Sequence, residues 1–338
     1  MTYRVRKWGS FLYQYILKRI LLIIPTVMGA GAVAFFLMRV IPGDVCVVRW
    51  TDYGMHYDFE GVREGIEICR NELGLNDALH IQFINFMTGL LTFDFGISMW
   101  TWKPITEEIM VRFPLSLQVA IMATTISILI AIPLGIVSAV RQDTWIDYVV
   151  RIFANAGAAT PSFWLGILII IGLLIYSQAW FGEPWMPPIV YVSPFEDPLA
   201  NLSQLFWPAV ATGYRFSSVL TRMTRSALLE VMREDYIRTA LAKGMLKKII
   251  INRHALRNAF LPVVTLIGME LSFLMGGLVV TEQVFNLNGL GRLMVDSVLD
   301  QDYNTVQALV MVVVVVFVCV NLVVDLFYAW LDPRIRYN

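Results

Sequence analysis

Charge-free stretches alternate with charged ones along this chain at a spacing that fits repeated membrane crossings. Residues 20–38 carry no charge and are bracketed by Lys18-Arg19 and Arg39, close to the ~20 apolar residues that span a bilayer core. Further uninterrupted runs cover 113–140, 152–182 and 303–324. Two more are broken by one charge each: 199–221 holds Arg215 and 259–281 holds Glu270. A helix tolerates such a charge inside a bundle, where it faces a cavity instead of lipid. The pattern predicts an all-α integral membrane protein with about six transmembrane helices. The first run is longer than a signal h-region and no small-residue cleavage site precedes Pro42-Gly43-Asp44, so the chain is expected to keep its N-terminus.

Two intervening segments are too long to be plain connections. Residues 42–112 mix glycine, aromatic and acidic residues and contain helix-like stretches at 60–73 and 75–91, which predicts a small helical cap. Residues 222–257 read as helical, without proline and with one glycine, Gly244, placed to break them. The expected organisation is an N-terminal segment and first span at 1–41, a cap at 42–112, a membrane core at 113–331 and a tail at 332–338.

Composition supports the membrane class. Of 338 residues, 57% are hydrophobic and 15% charged, against roughly a quarter charged in a soluble protein. That apolar excess does not fit inside a globular core. Lys and Arg number 26, as do Asp and Glu, so the total gives no electrostatic hold on nucleic acid. The basic residues do segregate. They precede the first span, occupy the second-to-third and fourth-to-fifth connections and end the chain, whereas the alternate loops are acidic. The positive-inside rule then makes both termini cytoplasmic and the cap external.

Catalytic signatures are missing. There is no G-x-x-x-x-G-K-[ST] phosphate cradle, no G-x-S-x-G and no H-E-x-x-H, and His56, His80 and His254 are far apart. No metal site, catalytic site or cofactor of the chain's own is expected. Cys46 and Cys69 in the cap form a candidate disulfide in an oxidising compartment, with free thiols as the other reading.

The inner segment reads Glu234-Asp235-Tyr236-Ile237-Arg238-Thr239-Ala240-Leu241-Ala242-Lys243-Gly244. Small residues at Thr239, Ala240 and Ala242 beside a glycine turn would let another backbone approach closely. An amphipathic helix resting on anionic lipid is the alternative on composition.

With its neighbours, this segment resembles the coupling loop of type I ABC importer permeases of the dipeptide, oligopeptide and nickel family. The resemblance runs through most of the chain: Ile41-Pro42-Gly43-Asp44, Leu73-Gly74-Leu75-Asn76, Phe93-Asp94-Phe95-Gly96-Ile97-Ser98, Pro161-Ser162-Phe163-Trp164, Arg222-Met223-Thr224-Arg225-Ser226, Asn321-Leu322-Val323-Val324-Asp325 and Leu331-Asp332-Pro333-Arg334. It is similar to the first of two permease subunits. Departures are Leu241 where the family has arginine, Asn288 where it has proline, and Glu270 where glutamine is common.

The resemblance implies a transport component and not an enzyme. Expected partners are a second homologous permease subunit, two cytoplasmic ABC ATPase subunits that hold ATP and Mg, an external or periplasmic solute-binding protein, and membrane lipid. The coupling loop would lie at 226–258, with Glu234, Asp235, Tyr236, Arg238, Thr239, Ala240, Ala242, Lys243 and Gly244 meeting an ATPase. Arg215, Glu270, Ser217 and Ser162 are candidates for the translocation path, and an Arg215–Glu270 ion pair joining two spans is the competing structural role. Short peptides are the expected cargo, with nickel chelate, opine or oligosaccharide as rivals in the same architecture. An ion-coupled transporter using Arg215 and Glu270 is the rival from another class. The expected location is a bacterial or archaeal cytoplasmic membrane, the inner membrane where there are two.

Overall fold

The computed structural model describes residues 2–40, 46, 47, 50 and 59–331. Ile41-Pro42-Gly43-Asp44, His56, the rest of the early cap and the tail at 332–338 lie outside the described residues. The described elements are helices, with one isolated bridge between Ile97 and Pro104. In chain order they are α1 (Thr2–Val40), α2 (Phe59–Glu72), α3 (Leu79–Thr92), α4 (Ile105–Val140), α5 (Trp145–Ala159), α6 (Ser162–Phe181), α7 (Pro198–Met232), α8 (Asp235–Ala242), α9 (Lys247–Ile249), α10 (Leu256–Gly277), α11 (Val279–Val284), α12 (Leu290–Leu299) and α13 (Tyr303–Leu331), with a π-helical turn at Ile250–Ala255 between α9 and α10. The chain forms two compact units, one of residues 1–114 and 289–318, the other of 115–288 and 319–338.

In the first unit, Phe35 of α1 sets its ring 5.3 Å from Phe83 and 5.9 Å from Phe86 of α3. Met87, Leu90 and Met311 form the adjoining core. A disulfide joins Cys46 to Cys69 and packs with Met99, Trp50 and Ile66. The Phe93–Ser98 motif has a structural reason. The Asp94 carboxylate accepts from the Gly96 N–H, and Ser98 Oγ donates to Asp302 at 2.6 Å. Asp302 also accepts from the backbone N–H of Thr305, so it caps the first turn of α13.

In the second unit, α7 carries the core. Glycines on both sides let α4 and α7 come close: a Cβ on Gly213 of α7 would lie 2.6 Å from the Ala123 carbonyl, and one on Gly135 of α4 would lie 2.6 Å from Thr224 Cβ. Ala131, Leu220 and Val263 share a buried cluster that joins α4, α7 and α10.

Among the described residues, five helices are long and apolar enough to cross a membrane: Leu21–Val40, Ile105–Val140, Ser162–Trp180, Lys247–Gly277 and Tyr303–Phe327. The sixth expected span, 199–221, falls within α7, which is not among them; α7 carries many polar residues and buries Asn201, Gln204, Thr212, Ser217, Ser218, Thr221 and Thr224.

Three boundaries differ from the sequence pattern. The run at 152–182 is two helices, since Pro161 supplies no N–H and drives Thr160 into extended backbone (φ −87°, ψ 119°). Helix α4 begins at Ile105 and runs through residue 112, where the cap was expected to end. The segment 222–257 breaks at Arg233-Glu234 as well as at Gly244. Glu234 is extended (ψ 147°), and the turn there lets Ile237 enter the core.

Candidate functional site

Helix α8 is anchored chiefly through Ile237 and exposes most of its other side chains. Ile237 is fully buried with Leu228, Ile250, Ala255 and Ala259, and Ala240 and Met245 pack against that cluster. The opposite face presents Asp235, Arg238, Thr239, Ala242 and Lys243 to solvent, as are Glu234, Tyr236 and Gly244 around it. Arg238 pairs with Asp235 at 3.5 Å, both largely exposed, so this contact contributes well under ~1 kcal/mol. Asn258 Nδ2 donates to the Tyr236 hydroxyl at 2.8 Å, which moors the helix to the start of α10. Ala240, expected on the docking face, is half-buried toward the core. Thr239 and Ala242 are the small residues that face outward.

Gly244 has φ +77°, and a Cβ there would meet nothing within 4 Å. Backbone conformation, not space, demands glycine at this turn. Beside α8 lies a groove of about 540 Å3 lined by charges of both signs, among them Arg225, Glu230, Arg233 and Arg238.

The loop is anchored by a network that sequence reasoning missed. The Asp147 carboxylate of α5 is fully buried. Arg225 Nε donates to it at 2.8 Å and Nη2 at 2.7 Å, while Ser138 Oγ and the Asp143 N–H also donate. The Arg225 guanidinium holds this carboxyl well below the usual carboxylate range. The pair therefore contributes its full stability above about pH 4, the unfolded pKa, and loses it only as pH falls through the depressed folded value. Arg225 leads into α8 seven residues before Met232 ends α7, so the network fixes the base of the loop. Its signal was faint: one acidic residue in the first turn of α5, 78 positions from its partner.

The path candidates do not converge. Arg215 is exposed, with its guanidinium 5.9 Å from the Phe216 ring. Glu270 is 6% exposed, and neither carboxylate oxygen has a hydrogen-bond partner. The ion pair considered from sequence is not formed, because the two side chains occupy different environments. Ser217 is buried and donates to the Tyr214 carbonyl of its own helix. Ser162 opens α6 and is half-buried. A second buried carboxylate escaped notice: Glu282 of α11 accepts from Ser116 at 2.6 Å. Among the described residues, no group of three or more His, Cys, Asp or Glu side chains could hold a metal ion.

A family model described as "Binding-protein-dependent transport system inner membrane component" matches residues 131–337. The chain is 37% identical over 324 residues to the glutathione transport system permease protein GsiC of Salmonella choleraesuis, covering 96% of this chain and 99% of that one. It is 34% identical to the dipeptide transport system permease protein DppB of Alkalihalophilus pseudofirmus, covering 96% and 99%. A solved amino acid ABC transporter chain aligns with a TM-score of 0.49 and 15% identity over 66% of this chain and 93% of its own.

Proposed function

Since the chain belongs to the family of binding-protein-dependent transport system inner membrane components, we propose that it is the permease subunit through which an ATP-driven importer passes short peptides. The family is a permease component of ABC importers, and ATP hydrolysis belongs to separate ATPase subunits. The observation that carries the mechanism is α8, a short helix fastened by Ile237 with an outer face left exposed by the other described residues.

In the proposed assembly a second homologous permease subunit completes the path, and an external binding protein delivers cargo. Two cytoplasmic ATPases carry ATP and Mg and receive the coupling helices. Both termini and α8 lie in the cytoplasm of a bacterium or archaeon, and the cap lies outside. When the ATPases close on ATP, they move α8, and its mooring through Tyr236 to Asn258 and through Arg225 to Asp147 carries the displacement into α10 and α5 as a rigid-body shift. Hydrolysis resets it. Arg215, Ser217, Ser162 and Glu270 belong to the path, and the buried Glu270 becomes accessible only in another conformation of the bundle.

Peptide cargo is supported by two relatives whose names specify glutathione and dipeptide transport. Cells lacking this chain should lose uptake of labelled di- and tripeptides and regain it with the restored gene. Retained peptide uptake alongside lost uptake of nickel chelate, opine or oligosaccharide overturns the cargo assignment.

A further inference from the structure

A second cavity, of about 650 Å3, opens where α5, α7 and α10 meet, and its charged lining is entirely basic: Arg151, Arg222 and Arg225. Arg225 is committed to Asp147 through Nε and Nη2, and its Nη1 takes no part in those bonds. Among the described residues, Arg151 and Arg222 are exposed and lie in no ion pair; Arg151 rests 5.8 Å from the Tyr148 ring. Asn155 and Ser226 add polar groups to the same wall. The Arg151 and Arg222 guanidinium groups line one cavity with no carboxylate partner among the described residues, and the planar fork suits a phosphate.

The position of the cavity identifies which anion. Neither Arg151 nor Arg222 lies within one of the candidate spans, whereas α10, which packs against α7 in the Leu220–Val263 cluster, lies inside one. The remaining wall is apolar, from Val219 and Met223 of α7 to Leu266, which lies inside the Lys247–Gly277 span. A cationic head end continuing into an apolar wall at the membrane surface complements a phospholipid and not a soluble phosphate.

We infer that this cavity is a binding site for the headgroup phosphate of an anionic phospholipid, with Arg151 and Arg222 as its principal ligands and an acyl chain along Met223 and Leu266. A lipid seated there braces α5 against α7 beside the Asp147–Arg225 bond. The site is independent of the cargo assignment.

The test is lipid binding to the purified assembled complex, with phosphatidylglycerol, phosphatidylcholine and inorganic phosphate as separate probes. Phosphatidylglycerol should bind ~30-fold tighter than phosphatidylcholine, and Arg151→Gln with Arg222→Gln should reduce that preference to within ~3-fold. Arg151→Lys with Arg222→Lys, which keeps both charges, should retain most of it. If the double glutamine variant fails to assemble, each single variant is measured, with a loss of ~5-fold expected from either. Equal preference in wild type and the glutamine variants overturns the site. So does displacement of the lipid by inorganic phosphate at equal concentration, which would identify a free-anion site.

Discussion

Ala242→Arg is expected to abolish uptake while leaving the chain folded, membrane-inserted and able to bind its permease partner. Residue 242 is exposed at the end of α8 and touches none of the Ile237 cluster, so a long side chain there costs the isolated chain little. Within a packed interface it has no room. Misfit at an interface centre costs about 2 kcal/mol or more, roughly a 30-fold loss of affinity, and ATP hydrolysis should persist without transport. The same substitution at Ala240 is less informative, because Ala240 packs on the core and its loss would also loosen the loop. Gly244→Val should give the same uncoupled phenotype by another route, since a non-glycine residue in left-handed backbone costs about 1–2 kcal/mol and β-branching adds to this. Uptake at wild-type rates from Ala242→Arg, with expression confirmed, would remove α8 from the coupling surface.

Arg225→Ala should destabilise the chain more than Asp147→Ala does, although the two residues share one bond. Removing the arginine strands a fully buried carboxylate, a loss of about 3–5 kcal/mol. Removing Asp147 leaves a guanidinium that is 21% exposed and can recover hydration, so the loss should be smaller, about 1–3 kcal/mol. Thermal unfolding of the two variants in one detergent gives the order directly. Equal losses would mean that the bond lies in a wetter environment than the full burial of Asp147 implies. The carboxyl is held low only while Arg225 is present, so in Arg225→Ala burial pushes Asp147 up and that variant's deficit should shrink as pH falls from 8 to 5, whereas the Asp147→Ala deficit should stay constant.

The parts of this protein legible in its sequence are those governed by local chemistry. Charge-free runs mark the helices because lipid admits no unpaired charge or backbone group, and the expected runs fall on helix except at the breaks at Thr160-Pro161 and Leu278. The break at Pro161 was equally local, and the restriction a proline places on its predecessor would have located it within the 152–182 run. The break at Arg233-Glu234 was not local. Neither residue is a helix breaker, and the turn exists because Ile237 is drawn into a cluster supplied by Leu228, Ile250 and Ala255. The sequence singles out Thr239, Ala240 and Ala242 as a group of small residues, but which of them face outward depends on that same burial.

Long-range pairing was least visible. Asp147 and Arg225 are 78 positions apart, and Ser116 and Glu282 are 166 apart. Nothing short of the helix register could bring them together. Arg215 and Glu270 show the reverse case, two charges at similar depth in neighbouring spans that invite a pairing the helix faces do not permit.

The central claim is that α8 is the surface through which this chain meets an ATPase, and site-specific cross-linking tests it most directly. A cysteine at Thr239 or Ala242, with Cys319 replaced, should cross-link to an ATPase subunit in intact membranes, and ATP should change the yield. A cysteine at Glu64 of α2 should not cross-link to the ATPase. Reaction of the Thr239 and Ala242 positions with the external binding protein, or with neither protein while the complex imports normally, would contradict the account.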